Sequence, residues 1–139
     1  MGAAAACLVL RALFGDVANM GATLPEGSVW VSALLEGILT FFLMFVIMAM
    51  TTDTRTIGKS AAAAIGATVA LAAISMGPIS GASMNPARSF GSALVGWTWM
   101  DHWAYWVGPI GGAALASVTY WWLRGENNAT SDGDGDRLS

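Results

Sequence analysis

The sequence predicts an all-α membrane protein, and three observations favour this fold class. Hydrophobic residues make up 55% of the chain, whereas Asp, Glu, Lys and Arg together make up 11%. Three long stretches, 29–50, 60–76 and 103–123, carry almost no charge, and about 20 apolar residues suffice to cross a hydrocarbon core roughly 30 Å thick. Most of the seven tryptophans lie near the ends of these stretches, as is typical of membrane interfaces.

The first fourteen residues are interpreted as the end of a truncated transmembrane helix. Their apolar part, 2–10, is too short to span a bilayer. A secretory signal peptide is the alternative, but it needs a basic region before the apolar run, and Arg11 comes after it. Residues 15–28, which are polar and contain the helix breakers Pro25 and Gly27, are predicted to be an extracellular loop.

The basic residues orient the three predicted spans. Two lie between the first and second spans and two follow the third, whereas Arg11 alone lies on the other side; the four are Arg55, Lys59, Arg124 and Arg137. Loops rich in Lys and Arg stay in the cytoplasm, so we expect a multi-pass protein with a cytoplasmic C-terminus. Residues 125–139 are polar and acidic, and we predict that they form a disordered cytoplasmic tail.

The chain between the second and third spans has to begin and end on the same side of the membrane. It contains "GPISGASMNPARSFGSALV", in which Asn85 is a good N-cap and Pro86 suits a first helical turn. A helix over residues 86 to about 95 is roughly 15 Å long, about half of the hydrocarbon thickness. Residues 29–124 are therefore predicted to hold three transmembrane helices and a re-entrant half-helix at about 85–95.

Placing the charged side chain of Arg88 inside a bilayer has a high free-energy cost unless water reaches it. Non-helical backbone at that depth is tolerated only where it is buried in protein or lines a wet cavity. We expect the carbonyl groups of residues 77–83 to face such a passage, and the positive end of the half-helix to repel cations. The alternative to a pore is that Asn85 is a buried helix cap in a membrane protein with another function. The residues alone favour a pore for uncharged molecules.

The same segment resembles the second signature loop of the aquaporin, or major intrinsic protein, family, whose hallmark is Asn-Pro-Ala followed by Arg. "LLEGILTFFLMF" is similar to the motif that opens each family repeat, and "YWVGPIGGAALA" is similar to the last helix. The resemblance covers nearly all of residues 1–124. It implies half of an aquaporin-like inverted-repeat helical bundle, namely the end of helix 3, helices 4 to 6 and one re-entrant half-helix.

The resemblance implies roles for the signature residues. Asn85, Pro86 and Ala87 would form the pore signature, with the Asn85 amide donating to permeating molecules, and Arg88 would belong to the selectivity filter at the outer constriction. Glu36 would support the loop by accepting hydrogen bonds from its N–H groups. From the residues alone, an ion site or a proton relay at Glu36 stays open.

The remaining filter positions implied by the resemblance are small. They fall on Ala72, or Ala73 given a one-residue ambiguity in loop length, and on Ala82, while Gly81 and Ser83 would contribute backbone to the pore loop. A strict water channel usually has histidine at the helical position. The alanine therefore implies a wider opening, similar to that of family members that pass glycerol, urea or neutral metalloid acids.

Other positions resemble the water channels instead. Glycerol facilitators typically carry Asp directly after the signature arginine and a basic residue four positions later, whereas this chain has Ser89 and Ala93 there. Tyr105 and Trp106 also match the water-channel pattern. The expected function is a passive transmembrane channel for water, with small neutral solutes as an open extension, that excludes protons and ions.

Only one of the family's two half-helices is present in this sequence. The alternative to a channel is therefore a non-conducting, truncated membrane subunit or remnant that needs the missing first half. The partners implied are the lipid bilayer, the missing N-terminal half and, by family likeness, three further copies in a homotetramer at the plasma membrane.

An enzyme is not expected, because one His, one Cys and no cluster of carboxylates within the spans leave nothing from which to build a catalytic site. For the same reason we expect no metal and no cofactor. Nothing in the sequence suggests a nucleic-acid partner.

Overall fold

The structure, a computed structural model, describes residues 1–52 and 59–132. Within these residues it is built from five α-helices and one short 3-10 turn, with no β-strand. The elements, in chain order, are α1 Gly2–Phe14, the 3-10 turn Ala18–Gly21, α2 Val29–Thr52, α3 Lys59–Ser80, α4 Pro86–Gly96 and α5 Ala104–Asp132. The predicted all-α class is confirmed.

Two of the described helices, Val29–Thr52 and Ser60–Ser80, are long and apolar enough to cross a membrane. Only 11% of the most apolar part of the first and 6% of that of the second is buried within the chain. Helices that are apolar on all sides and yet exposed fit a lipid environment. The third predicted span is a helix of sufficient length, but its glycine, tyrosine and tryptophan residues lower its mean hydropathy, and it does not meet the same criterion.

α3 continues four residues beyond the predicted end of the second span. It runs through Pro78 to Ser80 before Gly81 leaves the helix with φ of +86°. The last carbonyl groups of a helix have no partner within it, and here distant groups supply partners: the N–H of Glu26 donates to the Ile79 oxygen at 3.1 Å, and the Tyr105 hydroxyl donates to the Ser80 oxygen at 2.7 Å.

These contacts correct part of the expectation that the carbonyl groups of residues 77–83 face a passage, namely for residues 77, 79 and 80. The oxygen atoms of Ile79 and Ser80 accept those hydrogen bonds inside the protein, and the Gly77 oxygen accepts one from the Gly81 N–H at 2.9 Å. The non-helical stretch is accordingly shorter than predicted and begins at Gly81.

The C-terminal region also differs from the expectation of disorder over residues 125–139. α5 continues to Asp132, because adding a residue to an existing helix costs far less than starting a helix. Residues 133–139 lie outside the described part of the chain, as do residues 53–58 in the predicted cytoplasmic loop and the basic residues Arg55 and Arg137 that orient the spans.

The helices pack in two groups that share α5. α2 lies against α3 and α5, while α4 lies against α1, the 3-10 turn and α5. The contact of α4 with α1 is close, since a Cβ on Gly91 would lie 2.5 Å from the Cβ of Ala3. Arg11 of α1 donates to the Val95 carbonyl oxygen at 3.1 Å near the end of α4. The half-helix is therefore fixed along its length.

Candidate functional site

The segment between α3 and α4 has a backbone conformation that is energetically unfavourable for the residues it contains. Ala82 and Met84 have positive φ values of 42° and 50°, a region in which side chains other than glycine are disfavoured. Such residues persist only where the surroundings determine their conformation, and they cluster at functional sites. The contacts that hold this loop are therefore the starting point for the site.

Glu36 of α2 is the principal support of the loop. Its Oε1 accepts hydrogen bonds from the N–H of Ser83 at 2.8 Å and from the hydroxyl of Ser80 at 3.0 Å, and its Oε2 accepts one from the N–H of Met84 at 2.8 Å. The side chain is fully buried. Buried polar groups are stable only when they are hydrogen-bonded, so the carboxylate and the two loop N–H groups satisfy one another.

Ser80 and Tyr105 complete this support, and neither role is apparent from the sequence. Both side chains are fully buried. The Tyr105 hydroxyl donates to the Ser80 carbonyl oxygen, and the Ser80 hydroxyl oxygen also accepts from the N–H of Ala82 at 3.2 Å. The only sequence signal for them is that each places a polar group in an otherwise apolar stretch.

Asn85 caps the half-helix with its side chain. Its Oδ1 accepts hydrogen bonds from the N–H of Ala87 at 3.0 Å and from the N–H of Arg88 at 3.3 Å, and Pro86 occupies the first helical position. Because these N–H groups require an acceptor, the amide nitrogen has to point away from the helix. It has no partner among the described residues and is free to donate to another molecule.

The other predicted pore residues differ in exposure. Asn85, Ala87 and Arg88 are exposed, and Pro86 and Ala82 are partly buried. The guanidinium of Arg88 makes no ion pair or hydrogen bond within residues 1–52 and 59–132. The signature residues therefore form an accessible face at the start of α4.

The two candidates for the helical filter position are distinguished by burial. Ala72 is buried with 6% of its surface exposed, whereas the neighbouring Ala73 is exposed. A filter residue has to be accessible to the permeating molecule. Of the two alternatives, Ala73 meets this requirement in the chain as it stands.

An apolar groove of about 240 Å³ lies beside the start of the half-helix. It is lined by residues of α2, α5, the loop and the start of α4, among them Thr40, Met44, Met84, Pro86 and Pro109. A larger apolar groove of about 580 Å³ runs between α2 and α5 and contains none of the signature residues. Across the described residues, no group of three or more His, Cys, Asp or Glu side chains could hold a metal ion.

Comparison with known proteins agrees with this geometry. The sequence pattern of the family described as Major intrinsic protein matches residues 1–120. The chain is 48% identical over 123 residues to Aquaporin NIP1-4 of Oryza sativa subsp. japonica, covering 88% of this chain and 45% of that protein. It is 38% identical over 138 residues to Aquaporin NIP2-1 of Zea mays, covering 99% and 47%.

A further relative belongs to a differently named aquaporin group. The chain is 43% identical over 126 residues to Aquaporin TIP3-1 of Zea mays, covering 88% of this chain and 48% of that protein. The chain thus spans about half the length of the curated relatives that it matches. With a family match over most of its length and the Asn-Pro-Ala-Arg signature at the start of its half-helix, the chain belongs to the major intrinsic protein family.

Proposed function

We propose that this chain supplies one half of a passive membrane pore for water and small neutral solutes. One observation carries the proposal: Asn85 uses its side-chain oxygen to cap α4, which leaves its amide nitrogen free to donate from the N-terminus of a short helix. A permeating molecule that can accept a hydrogen bond could accept one from this nitrogen at the start of α4. The names of the relatives, all aquaporins, support the same activity.

Charge supports the exclusion of cations and protons. A helix N-terminus carries roughly half a positive charge, and the exposed guanidinium of Arg88 lies one residue beyond Ala87 on the same first turn. Fixed positive charge beside a narrow passage raises the energy of a cation and leaves neutral molecules unaffected. The proposed filter consists of Arg88, Ala82 and the alanine of α3, for which exposure favours Ala73 over Ala72.

The small filter residues support a passage wider than that of a strict water channel. Alanine side chains at two of the filter positions leave room for glycerol, urea or a neutral metalloid acid. We therefore propose that such solutes pass in addition to water. The proposed activity is permeation without any chemical step.

The exposed signature residues require a partner surface. Asn85, Ala87 and Arg88 are exposed in this chain, and the groove of about 240 Å³ beside Pro86 is apolar. In a bilayer, non-helical backbone cannot face lipid. We propose that the first half of an inverted repeat covers this face, and that the complete protein assembles as a homotetramer in the plasma membrane with a cytoplasmic C-terminus.

The same exposure favours one second candidate. Without a covering half, the signature face has no wall opposite it, and the chain would be a non-conducting membrane subunit. The coding DNA upstream of Met1 separates the two candidates. Another Asn-Pro-Ala with two further apolar spans in frame would restore a whole pore.

Stopped-flow osmotic shrinkage of vesicles tests the function. Three preparations are compared: vesicles with the full-length protein read from its gene, vesicles with residues 1–139 alone, and empty vesicles. We expect the full-length protein to shrink vesicles several-fold faster than empty ones, with no leak in a pH-dye assay for protons. Shrinkage of both protein preparations at the rate of empty vesicles would refute the pore.

A further inference from the structure

A buried chain of hydroxyl groups connects the loop before α2 to the backbone of Asn85. The Thr23 Oγ1 lies 2.6 Å from the Ser89 Oγ, and the Ser89 Oγ lies 2.5 Å from the Ser83 Oγ. The Ser83 hydroxyl then donates to the Asn85 carbonyl oxygen at 3.0 Å. Thr23, Ser83 and Ser89 are 5%, 7% and 0% exposed, so water does not compete for these bonds.

The direction of the hydrogen bonds between these hydroxyl groups is determined by the carbonyl oxygen of Asn85, at which they end. A carbonyl oxygen can only accept a hydrogen bond, so Ser83 donates its one hydroxyl hydrogen to the Asn85 carbonyl oxygen. Ser89 must then donate to Ser83, and Thr23 must donate to Ser89. Only one arrangement of the three hydrogens satisfies every contact, and it begins at Thr23.

Thr23 is itself held against the pore loop. A Cβ on Gly81 would lie 2.9 Å from the Thr23 Cγ2, so that the methyl group packs on the point where α3 ends. Three residues later, the N–H of Glu26 donates to the Ile79 carbonyl oxygen. The segment around Thr23 thus contacts the last turn of α3 and the first turn of α4 together.

The series of hydroxyl hydrogen bonds ends at Asn85, the residue that bears the candidate pore amide. Besides Ser83, the Asn85 carbonyl oxygen accepts the N–H groups of Arg88 at 3.1 Å and Ser89 at 3.2 Å. These bonds start the half-helix. Without the hydroxyl of Thr23, the Ser89 oxygen is left buried with an unused acceptor site, and a loss of this kind is relieved by movement of the groups around it.

We propose that Thr23 is a positioning residue for the pore signature, and that it acts through Ser89 and Ser83 on the backbone of Asn85. Its effect on permeation rests on the proposed pore. The loop of residues 15–28 then has a part in selectivity, because it sets where the Asn85 amide and the Arg88 guanidinium stand. Position 89 needs a hydroxyl for this purpose.

The test separates the hydroxyl of Thr23 from its methyl group. Thr23→Val keeps the methyl that packs on Gly81 and loses the hydroxyl, whereas Thr23→Ser does the reverse. Thr119→Val is the matched control, because among the described residues the Thr119 hydroxyl bonds only to the Leu115 carbonyl oxygen of its own helix. All variants are made in the full-length protein.

Two measurements are made on each variant. Hydrogen exchange of the amides of residues 81–85, 87 and 88 should be about fivefold faster in Thr23→Val, which is the factor that the loss of one buried hydrogen bond corresponds to. It should be unchanged within about twofold in Thr23→Ser and Thr119→Val. The ratio of glycerol to water permeability should change in Thr23→Val alone. In a Ser89→Ala background the Thr23→Val substitution should have no further effect, since the two act in one chain.

The outcomes distinguish this inference from the proposed function. If Thr23→Val matches the wild type in amide exchange, or if Thr23→Ser disturbs the loop as much as Thr23→Val does, the positioning role is refuted. If the wild type does not conduct while the exchange pattern is as expected, the pore is refuted and the positioning of the loop stands. Should Thr23→Val fail to fold, a comparison of Thr23→Ala with Thr23→Ser isolates the hydroxyl, since both lack the methyl group, and equal amide exchange of the loop in the two would refute the positioning role.

Discussion

Gly112 of α5 and Gly37 of α2 bring two helix backbones into contact, since a Cβ on Gly112 would lie 2.1 Å from the carbonyl oxygen of Gly37. One turn earlier, a Cβ on Gly108 would lie 2.5 Å from the Ala33 carbonyl oxygen and 3.0 Å from the Cβ of Glu36. Small residues at this spacing let membrane helices approach closely. The crossing therefore also fixes the position of the carboxylate that holds the loop between α3 and α4, the proposed pore loop.

Substituting Gly112 should weaken the crossing of α2 and α5. A methyl group cannot fit between Gly112 and the Gly37 backbone, so Gly112→Ala should lower the free energy of unfolding by about 1–3 kcal/mol. The measurement is thermal unfolding in detergent micelles. Gly111→Ala is the matched control, because a Cβ there meets nothing within 4 Å. Equal stability of the two variants would contradict the close contact.

Replacing the carboxylate that supports the loop should destabilise the pore segment. In Glu36→Gln one oxygen becomes an NH₂ group, which faces a backbone N–H of Ser83 or Met84 and leaves it without an acceptor. A buried N–H without a partner costs about 1–3 kcal/mol, and we expect a loss of this size together with slower osmotic shrinkage.

The exposed Glu26 provides the control for this substitution. Within the described residues its side chain makes no hydrogen bond or ion pair, and its backbone N–H donates to Ile79. Glu26→Gln should therefore behave as the wild type. An ion site or proton relay at Glu36 makes a different prediction, since Glu36→Gln would then change proton or ion leak and leave stability intact.

The sequence predicts the half-helix well because its signals are local. Asn85 and Pro86 determine its start through capping and a fixed φ, and the structure has the helix at Pro86–Gly96. The apolar run of α2 is equally local, with the observed helix Val29–Thr52 extending the predicted span by two residues.

The features that the sequence does not predict depend on residues far apart in the chain. The end of α3 at Ser80 is an example, because the Tyr105 hydroxyl and the Glu26 N–H, both outside that helix, satisfy its last carbonyl groups. Likewise Thr23 and Ser89 are 66 positions apart. Neither pairing leaves a periodic pattern in the sequence, so only the folded arrangement identifies them.

Enlarging the filter alanine should discriminate between solutes of different size. Ala73→His places an imidazole at the exposed position of α3 and should reduce glycerol flux more than water flux. Ala72→His instead forces the ring into a buried position and should mainly lower stability, by about 1–3 kcal/mol. The measurements are glycerol and water permeability in vesicles and thermal unfolding in micelles. Equal loss of both fluxes in Ala73→His would place the constriction elsewhere.

Stability should depend on pH through His102, which precedes α5 in the connection from α4. Its ring lies among aromatic rings, with centroid distances of 5.2 Å to Trp99, 6.3 Å to Phe90 and 6.5 Å to Trp106. Its Nε2 is buried and has no partner within the described part of the chain. Burial lowers the pKa of His102 below its usual value of 6.5. The folded protein therefore binds this proton less readily than the unfolded chain does.

The sign of the effect follows from that difference. The contribution of His102 to stability is fully present above pH 6.5 and is lost as the pH falls from that value toward the lower pKa of the folded state. The unfolding temperature should decline over this interval in the wild type, and His102→Phe, which keeps an aromatic ring, should remove that part of the decline. Unfolding followed by tryptophan circular dichroism between about pH 5 and pH 8 makes the comparison. If the two proteins lose stability in parallel, carboxylates rather than His102 determine the pH response.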